Sequence, residues 1–215
     1  KTQWAKKVDD IEKPFAYNYD EDEYGNASLA IMGLFELKLM LSSFGIRSNK
    51  QTLYEENPLS NKNFFVAGTG TGREVIALAS LGAKVVGIDA TKEYVGITST
   101  KVQNASAALG KNLSVKISQC PAEDFPYEES YYDGVSSLFG VLNHVEEWEN
   151  TVNKMSRSLK PNCTLVISMY GPNNALVFDT LQKGEMQYQP SILQRRTEGG
   201  ILLGDSSEVL PAAFP

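Results

Sequence analysis

Histidine is almost missing from this chain: His144 is the single copy among 215 residues. A centre held by several imidazoles is therefore excluded, and no metal site is expected. Cysteine is nearly as scarce. Cys120 and Cys163 stand far apart, at a spacing that fits neither a zinc site nor a disulfide framework. Both are expected to be buried free thiols in a reducing compartment. Runs of Lys and Arg are lacking too: 20 basic residues face 26 acidic ones, for a net charge of -6. That balance argues against nucleic acid or an anionic membrane as the partner. The aromatic residues are not interleaved with basic runs, as they are in grooves that bind single strands. No apolar run reaches the length of a membrane span, and the opening residues do not read as a secretion signal. The expected location is cytoplasmic.

What is present is ordinary globular material, 42% hydrophobic and 21% charged, enough for one domain with a real core. Residues 1–26 are polar, aromatic and acidic, without a clean period. "SLAIMGLFELKLMLSSFG" (28–45) repeats its apolar residues at helical spacing and ends in Gly45, a natural C-cap. Met32, Phe35 and Met40 of this helix are expected in the core. From Asn63 the pattern alternates. "FFVA", "AKVVGID", "LSVKISQ", "YYDGVSSLFG" and "CTLVISMYG" read as strands, and "REVIALASLG", "KEYVGITSTKVQNASAALG" and "VEEWENTVNKMSRSLKP" as helices between them. This predicts an α/β fold, Rossmann-like, with a mostly parallel sheet covered by helices on both faces. Residues 1–60 are expected to form a helical cap or lid, and 61–215 the main domain. Ligands of such sheets bind at the edge formed by the strand C-termini.

One stretch at that edge carries chemistry. "VAGTGTGREV" places Gly68, Gly70 and Gly72 at alternate positions between a strand and a helix. Such a turn favours residues free of Cβ and lets backbone N–H groups approach a ligand. Asp89 ends the next strand, where a carboxylate can accept both hydroxyls of a ribose. The spacing is G-x-G-x-G rather than the G-x-G-x-x-G of a pyrophosphate turn, and Arg73 stands where that pattern would continue.

At these residues the sequence resembles the class I S-adenosylmethionine (SAM)-dependent methyltransferases. "VAGTGTGREVIALASLGAKVVGIDAT", "PAEDFPYEESYYDGVSSLFGVLNHV" and "MSRSLKPNCTLVISMYG" resemble that family's successive motifs over residues 62 to 171. The resemblance implies SAM as cofactor. Gly68, Thr69, Gly70 and Gly72 would then line its methionine part and sugar, and Asp89 would take the ribose hydroxyls. Ala90 would touch adenine. Ala122 and Glu123 would meet the adenine edge, and Leu138, Phe139 and Gly140 would sit near the methyl donor. The family commonly has an acid two residues before the first glycine, where this chain has Val66, and often Asp where it has Pro121. The cofactor's ammonium must then rely on backbone carbonyls, on Glu74, or on an acid from the N-terminal segment. The family's antiparallel sixth and seventh strands have no convincing match before Pro215.

The acceptor side is left to few groups. His144 reads either as a base beside the methyl donor or as a residue in the first turn of the next helix, bonded to a local carbonyl. Asn143 is expected to cap that helix. Tyr17, with Tyr19 and Tyr24, stands in a segment that reads either as a lid with acceptor contacts or as a solvated acidic stretch. Tyr170 either faces the acceptor or caps the sheet. The expected activity is methyl transfer to the nitrogen or oxygen of a small molecule. The rival readings are an NAD-dependent oxidoreductase, which the glycine spacing disfavours, and a non-catalytic module of the same fold.

Overall fold

A computed structural model of the chain describes residues 27–46, 57–169, 200–202 and 209–211. Tyr17, Tyr19, Tyr24 and Tyr170 lie outside the described residues. The first helix is α1 (Ala27–Ser43), and β1 (Asn63–Ala67), α2 (Arg73–Ser80), β2 (Lys84–Asp89), α3 (Lys92–Leu109) and β3 (Val115–Gln119) follow. A short 3-10 turn at Ala122–Asp124 leads to β4 (Tyr132–Ser137). A second at Val141–His144 leads to α4 (Trp148–Ser158) and β5 (Leu159–Ile167). All five strands are parallel, in the order β3-β2-β1-β4-β5.

The central strand shows why the helices must cover both faces. Four of the five residues of β1 are buried, so apolar side chains point both ways from one strand. Phe64 and Val66 join Met40 and Phe44 of α1 and Val75 and Leu78 of α2 in one core cluster. Phe65 and Ala67 join Val135 and Met155 of α4 in the other. The Phe44 and Phe64 rings lie 4.9 Å apart over β4. Gly134 makes that possible, because a Cβ there would stand 2.6 Å from one ring and 2.8 Å from the other.

Helix α1 stops as expected. Gly45 takes φ 86°, its N–H donates to Ser42 O at 3.0 Å, and Ile46 N–H donates to Leu41 O at 2.9 Å. Its inward face carries Glu36, Met40 and Phe44, spaced four apart. Phe35 is therefore turned away, 65% exposed, and does not belong to the core expected for it. The two thiols are free but only half-buried.

Two boundaries differ from expectation. The helix before the fifth strand ends at Ser158 instead of reaching Pro161, because Leu159 pairs with Tyr132 and starts β5. A register shift follows, with Asn162 at φ 63°. Among the described residues β5 lies at the edge of the sheet, where the missing N–H of Pro161 breaks no ladder. A short antiparallel pair, β6 (Gly200–Leu202) and β7 (Val209–Pro211), forms a sheet of its own before Pro215. Three-residue strands carry too little alternation to be read from sequence. Among the described residues, no helix is long and apolar enough to cross a membrane.

Met40 ties α1 into the sheet with no exposed surface. Met40→Ala is expected to cost about 2–5 kcal/mol of stability in a single urea transition. A second, earlier transition would mean that α1 unfolds apart from the sheet.

Candidate functional site

The strand order reverses between β1 and β4, and there the C-terminal ends of the strands open into a cleft. The turn after β1 is suspended from β2. Gly68 N–H and Thr69 N–H both donate to Ile88 O, at 2.8 and 3.0 Å. Asp89 then accepts Gly70 N–H at 2.9 Å on one carboxylate oxygen. Its other oxygen accepts the N–H and the hydroxyl of Thr91, both at 3.0 Å. The carboxylate is 5% exposed. Burial pushes its pKa above the ordinary aspartate value, against the opposing pull of the Thr91 and Gly70 amides. Thr98 Oγ1 donates to Gly70 O at 2.8 Å and closes the turn from α3. Asp89 thus shapes the glycine turn while it faces the cleft.

The cleft measures about 940 Å³ including its open mouth. Gly68, Thr69, Gly70, Asp89, Ala90, Ala122, Glu123, Leu138, Phe139 and His144 all line it. Gly72 and Gly140, expected beside them, do not. Gly72 sits at the N-cap of α2 against Thr98, and Gly140 opens the 3-10 turn that follows β4. His144 is the last residue of that turn rather than part of α4. Asn143 is fully buried in the same turn, and Glu147 takes the cap position of α4, so Asn143 is not its N-cap. Val66 is buried toward α1 and contributes nothing to the cleft wall.

Sequence reasoning missed several wall residues. Tyr94 of α3 and Val141 of the 3-10 turn enter from neighbouring elements and carry no motif. Cys120 also faces the cleft, and burial raises its thiol pKa. Arg73 had a signal, as the break in the pyrophosphate pattern. Its guanidinium pairs with Glu74 and lies 4.7 Å from the centre of the Phe139 ring.

Along the strand order the wall differs: Asp89, Ala90, Ala122 and Glu123 enter after β2 and β3, and Arg73, Glu74 and Phe139 after β1 and β4. Two buried polar atoms of the wall, Thr69 Oγ1 and Glu123 Oε2, have no hydrogen-bond partner. Such atoms are rare in folded interiors and mark places where a ligand's polar groups fit. A nucleoside with a charged side arm matches this layout.

Comparison with known proteins agrees. Residues 65–167 match the family model described as a methyltransferase domain. The chain is 29% identical over 124 residues to the ubiquinone/menaquinone biosynthesis C-methyltransferase UbiE of Geotalea daltonii, covering 56% of this chain and 51% of that protein. It is 24% identical over 111 residues to the uncharacterized methyltransferase YcgJ of Bacillus subtilis, covering 51% and 42%. The chain spans about half the length of the curated relatives it matches. Among solved structures, the fold is shared with YcgJ of Bacillus subtilis (TM-score 0.51, 20% identity, 69% of this chain and 56% of that one). It is also shared with Phospholethanolamine N-methyltransferase 2 of Haemonchus contortus, solved with phosphomonomethylethanolamine and S-adenosylhomocysteine (TM-score 0.60, 19% identity, 91% and 44%). The glycine turn held by Asp89, the cleft at the strand-order reversal and the matched stretch agree: the chain carries a class I SAM-dependent methyltransferase domain, with SAM as its cofactor.

Proposed function

We propose that the protein transfers the methyl group of SAM to a small organic acceptor whose reacting atom gives up a proton, and that His144 receives that proton. The observation that carries this reading is the position of the chain's one imidazole, in the wall of the same cleft as the glycine turn and Asp89. The bound cofactor supplies an electrophilic methyl group on a sulfonium with a neutral leaving group.

The chain's own residues then bind, orient and exclude water. Gly68 gives backbone access to the cleft floor. It has φ 75°, and a Cβ there would stand 2.2 Å from Val141 Cγ2. Asp89 offers its carboxylate to the sugar hydroxyls, and Ala122 and Glu123 meet the base. Leu138 and Phe139 form the apolar wall near the reacting end. Holding two reactants in line can supply about 7–11 kcal/mol of the barrier. A positioned base adds a factor of about 10²–10⁴. Tyr17 is proposed as a second acceptor-side group.

The sequence points to nitrogen or oxygen as the acceptor atom. A second reading, methylation at carbon, is favoured by the relatives named as C-methyltransferases of ubiquinone and menaquinone biosynthesis. Methylation at oxygen or carbon needs a proton acceptor, whereas an amine that binds unprotonated does not. The net charge of -6 supports a small molecule over nucleic acid.

S-adenosylhomocysteine at 100 times its dissociation constant is expected to stabilise the protein by about 2.7 kcal/mol in thermal melts. NAD should give no shift; the opposite pattern would return the oxidoreductase reading. Gly68→Ala is expected to weaken S-adenosylhomocysteine binding about tenfold or more by calorimetry, since the added methyl meets Val141 in a left-handed backbone. Val141→Ala in the same chain should recover part of that loss. His144→Gln is expected to lower kcat about 100-fold while nucleoside affinity stays unchanged. Full activity in that variant would remove His144 as the base.

A further inference from the structure

Phe139 stands in a backbone conformation that residues with a side chain rarely adopt. Its φ is 56°, and Gly140 follows at 68°. A left-handed residue with a Cβ is strained and persists only where its neighbours hold it. The ladder between β4 and β5 does not supply that hold. β4 ends at Ser137 and β5 at Ile167, and just past β5 the Ser168 N–H donates to Ser137 O at 3.0 Å. Phe139 lies two residues beyond that bond.

Its amide is held by side chains instead. Phe139 N–H donates to Ser168 Oγ at 2.8 Å and to Glu36 Oε2 at 3.2 Å. The Ser168 hydroxyl donates to the same carboxylate. A hydroxyl has one proton and two lone pairs. By taking the Ser168 proton, Glu36 leaves the lone pairs of that oxygen to the Phe139 amide, so it acts both directly and through Ser168. Glu36 is the one acid of α1 and is 9% exposed. Burial raises its pKa, and the hydrogen bonds from Ser168 and Phe139 oppose the rise. A buried carboxylate is costly unless hydrogen bonds satisfy it, and both of these bonds come from the exits of β4 and β5.

Two parts of the cleft wall hang on that amide. The Phe139 ring lines the cleft, with the Arg73 guanidinium 4.7 Å from its centre. Gly140 then opens the 3-10 turn, Asn143 N–H donates back to Gly140 O at 2.9 Å, and the turn ends at His144. Val141 of this turn lies against Gly68, where an added Cβ would stand 2.2 Å from it. A shift at Phe139 therefore moves the ring, the imidazole and the cover of the glycine turn together.

We infer that Glu36 is a positioning residue for the methyl transfer: from α1 it fixes the left-handed exit of β4, and with it the Phe139 ring and the turn that presents His144. It acts on the ligands only through Phe139. The inference rests on the adenosyl reading of the cleft and deepens it.

The test follows the Phe139 ring and ligand affinity on the full chain. A para-fluoro label on the Phe139 ring should give a single narrow fluorine resonance in the unaltered protein. E36A is expected to broaden or split it, and E36Q, which keeps an oxygen facing the amide, to restore it. An unchanged resonance in E36A overturns the assignment. Calorimetry with S-adenosylhomocysteine separates positioning from direct contact. E36A is expected to weaken binding about two- to tenfold, the cost of ordering a loosened wall. In F139G the ring is gone and glycine accepts the left-handed exit unaided, so adding E36A should weaken binding no further. Equal losses in the two backgrounds mean that Glu36 acts on the ligand itself, and they overturn the assignment. Should E36A not fold, hydrogen exchange on the unaltered protein decides. The Phe139 amide is expected to be protected like the amides of β4, and exchange as fast as in a free peptide overturns the assignment. If the unaltered protein does not bind S-adenosylhomocysteine, the adenosyl reading falls and this inference with it. If it binds and the two backgrounds lose equally, the inference falls alone.

Discussion

The structure depends on one buried carboxylate. Asp89 ends β2 and holds the amide of Gly70 in the turn that ends β1. Taking that charge out of water is costly, and three hydrogen bonds, one from Gly70 and two from Thr91, offset the cost. The turn is closed once by its own backbone, where Gly72 N–H donates to Thr69 O at 2.8 Å, and its glycines run through left-handed conformations. The N–H groups of Gly68, Thr69 and Gly70 find their acceptors on β2, at Ile88 O and Asp89. The shape of the cleft floor is therefore set before any ligand arrives, and less ordering remains to be done on binding.

Strand order makes this local device a site. β2 and β4 flank β1, so the loops that leave β1, β2 and β4 meet over the point where the order reverses. β3 brings Ala122 and Glu123 to the same edge from beyond β2. The result is a cleft lined by Asp89 and by the ion pair of Arg73 and Glu74 beside Phe139. Phe139 is itself left-handed, at φ 56°. It is held there by Glu36, Ser168 and Arg73, which come from three separate elements. Strain of this kind persists only where surrounding contacts over-determine it, and it concentrates at functional sites.

Much of the cleft was legible because its parts are local. Gly68, Gly70 and Asp89 announce themselves by spacing, while Ala122 and Glu123 were implied only by the family resemblance of "PAEDFPY". Glu36 gave no such sign. It is the one acid in an apolar helix, and its partner Phe139 lies 103 residues away. Sequence order alone could not show whether it faced water or the sheet. Phe35, its neighbour, was misread for the same reason: an apolar residue in a helix this apolar has no preferred side until the sheet is present. His144 ends a 3-10 turn after β4, and that turn is hidden among residues that also suit a helix. The start of β5 was hidden by Pro161, which reads as a stop signal and is instead accommodated in an edge strand.

By itself the sequence determined the alternation of strands and helices, the left-handed turn after the first strand and the acid at the end of the second. These follow from steric and hydrogen-bond preferences that act over a few residues. Only the tertiary structure decided which acid holds the Phe139 amide, which face of α1 is buried and that the imidazole lines the cleft. Those outcomes depend on contacts between residues far apart in the chain, and such contacts are specified by the packing of the whole sheet rather than by any short stretch.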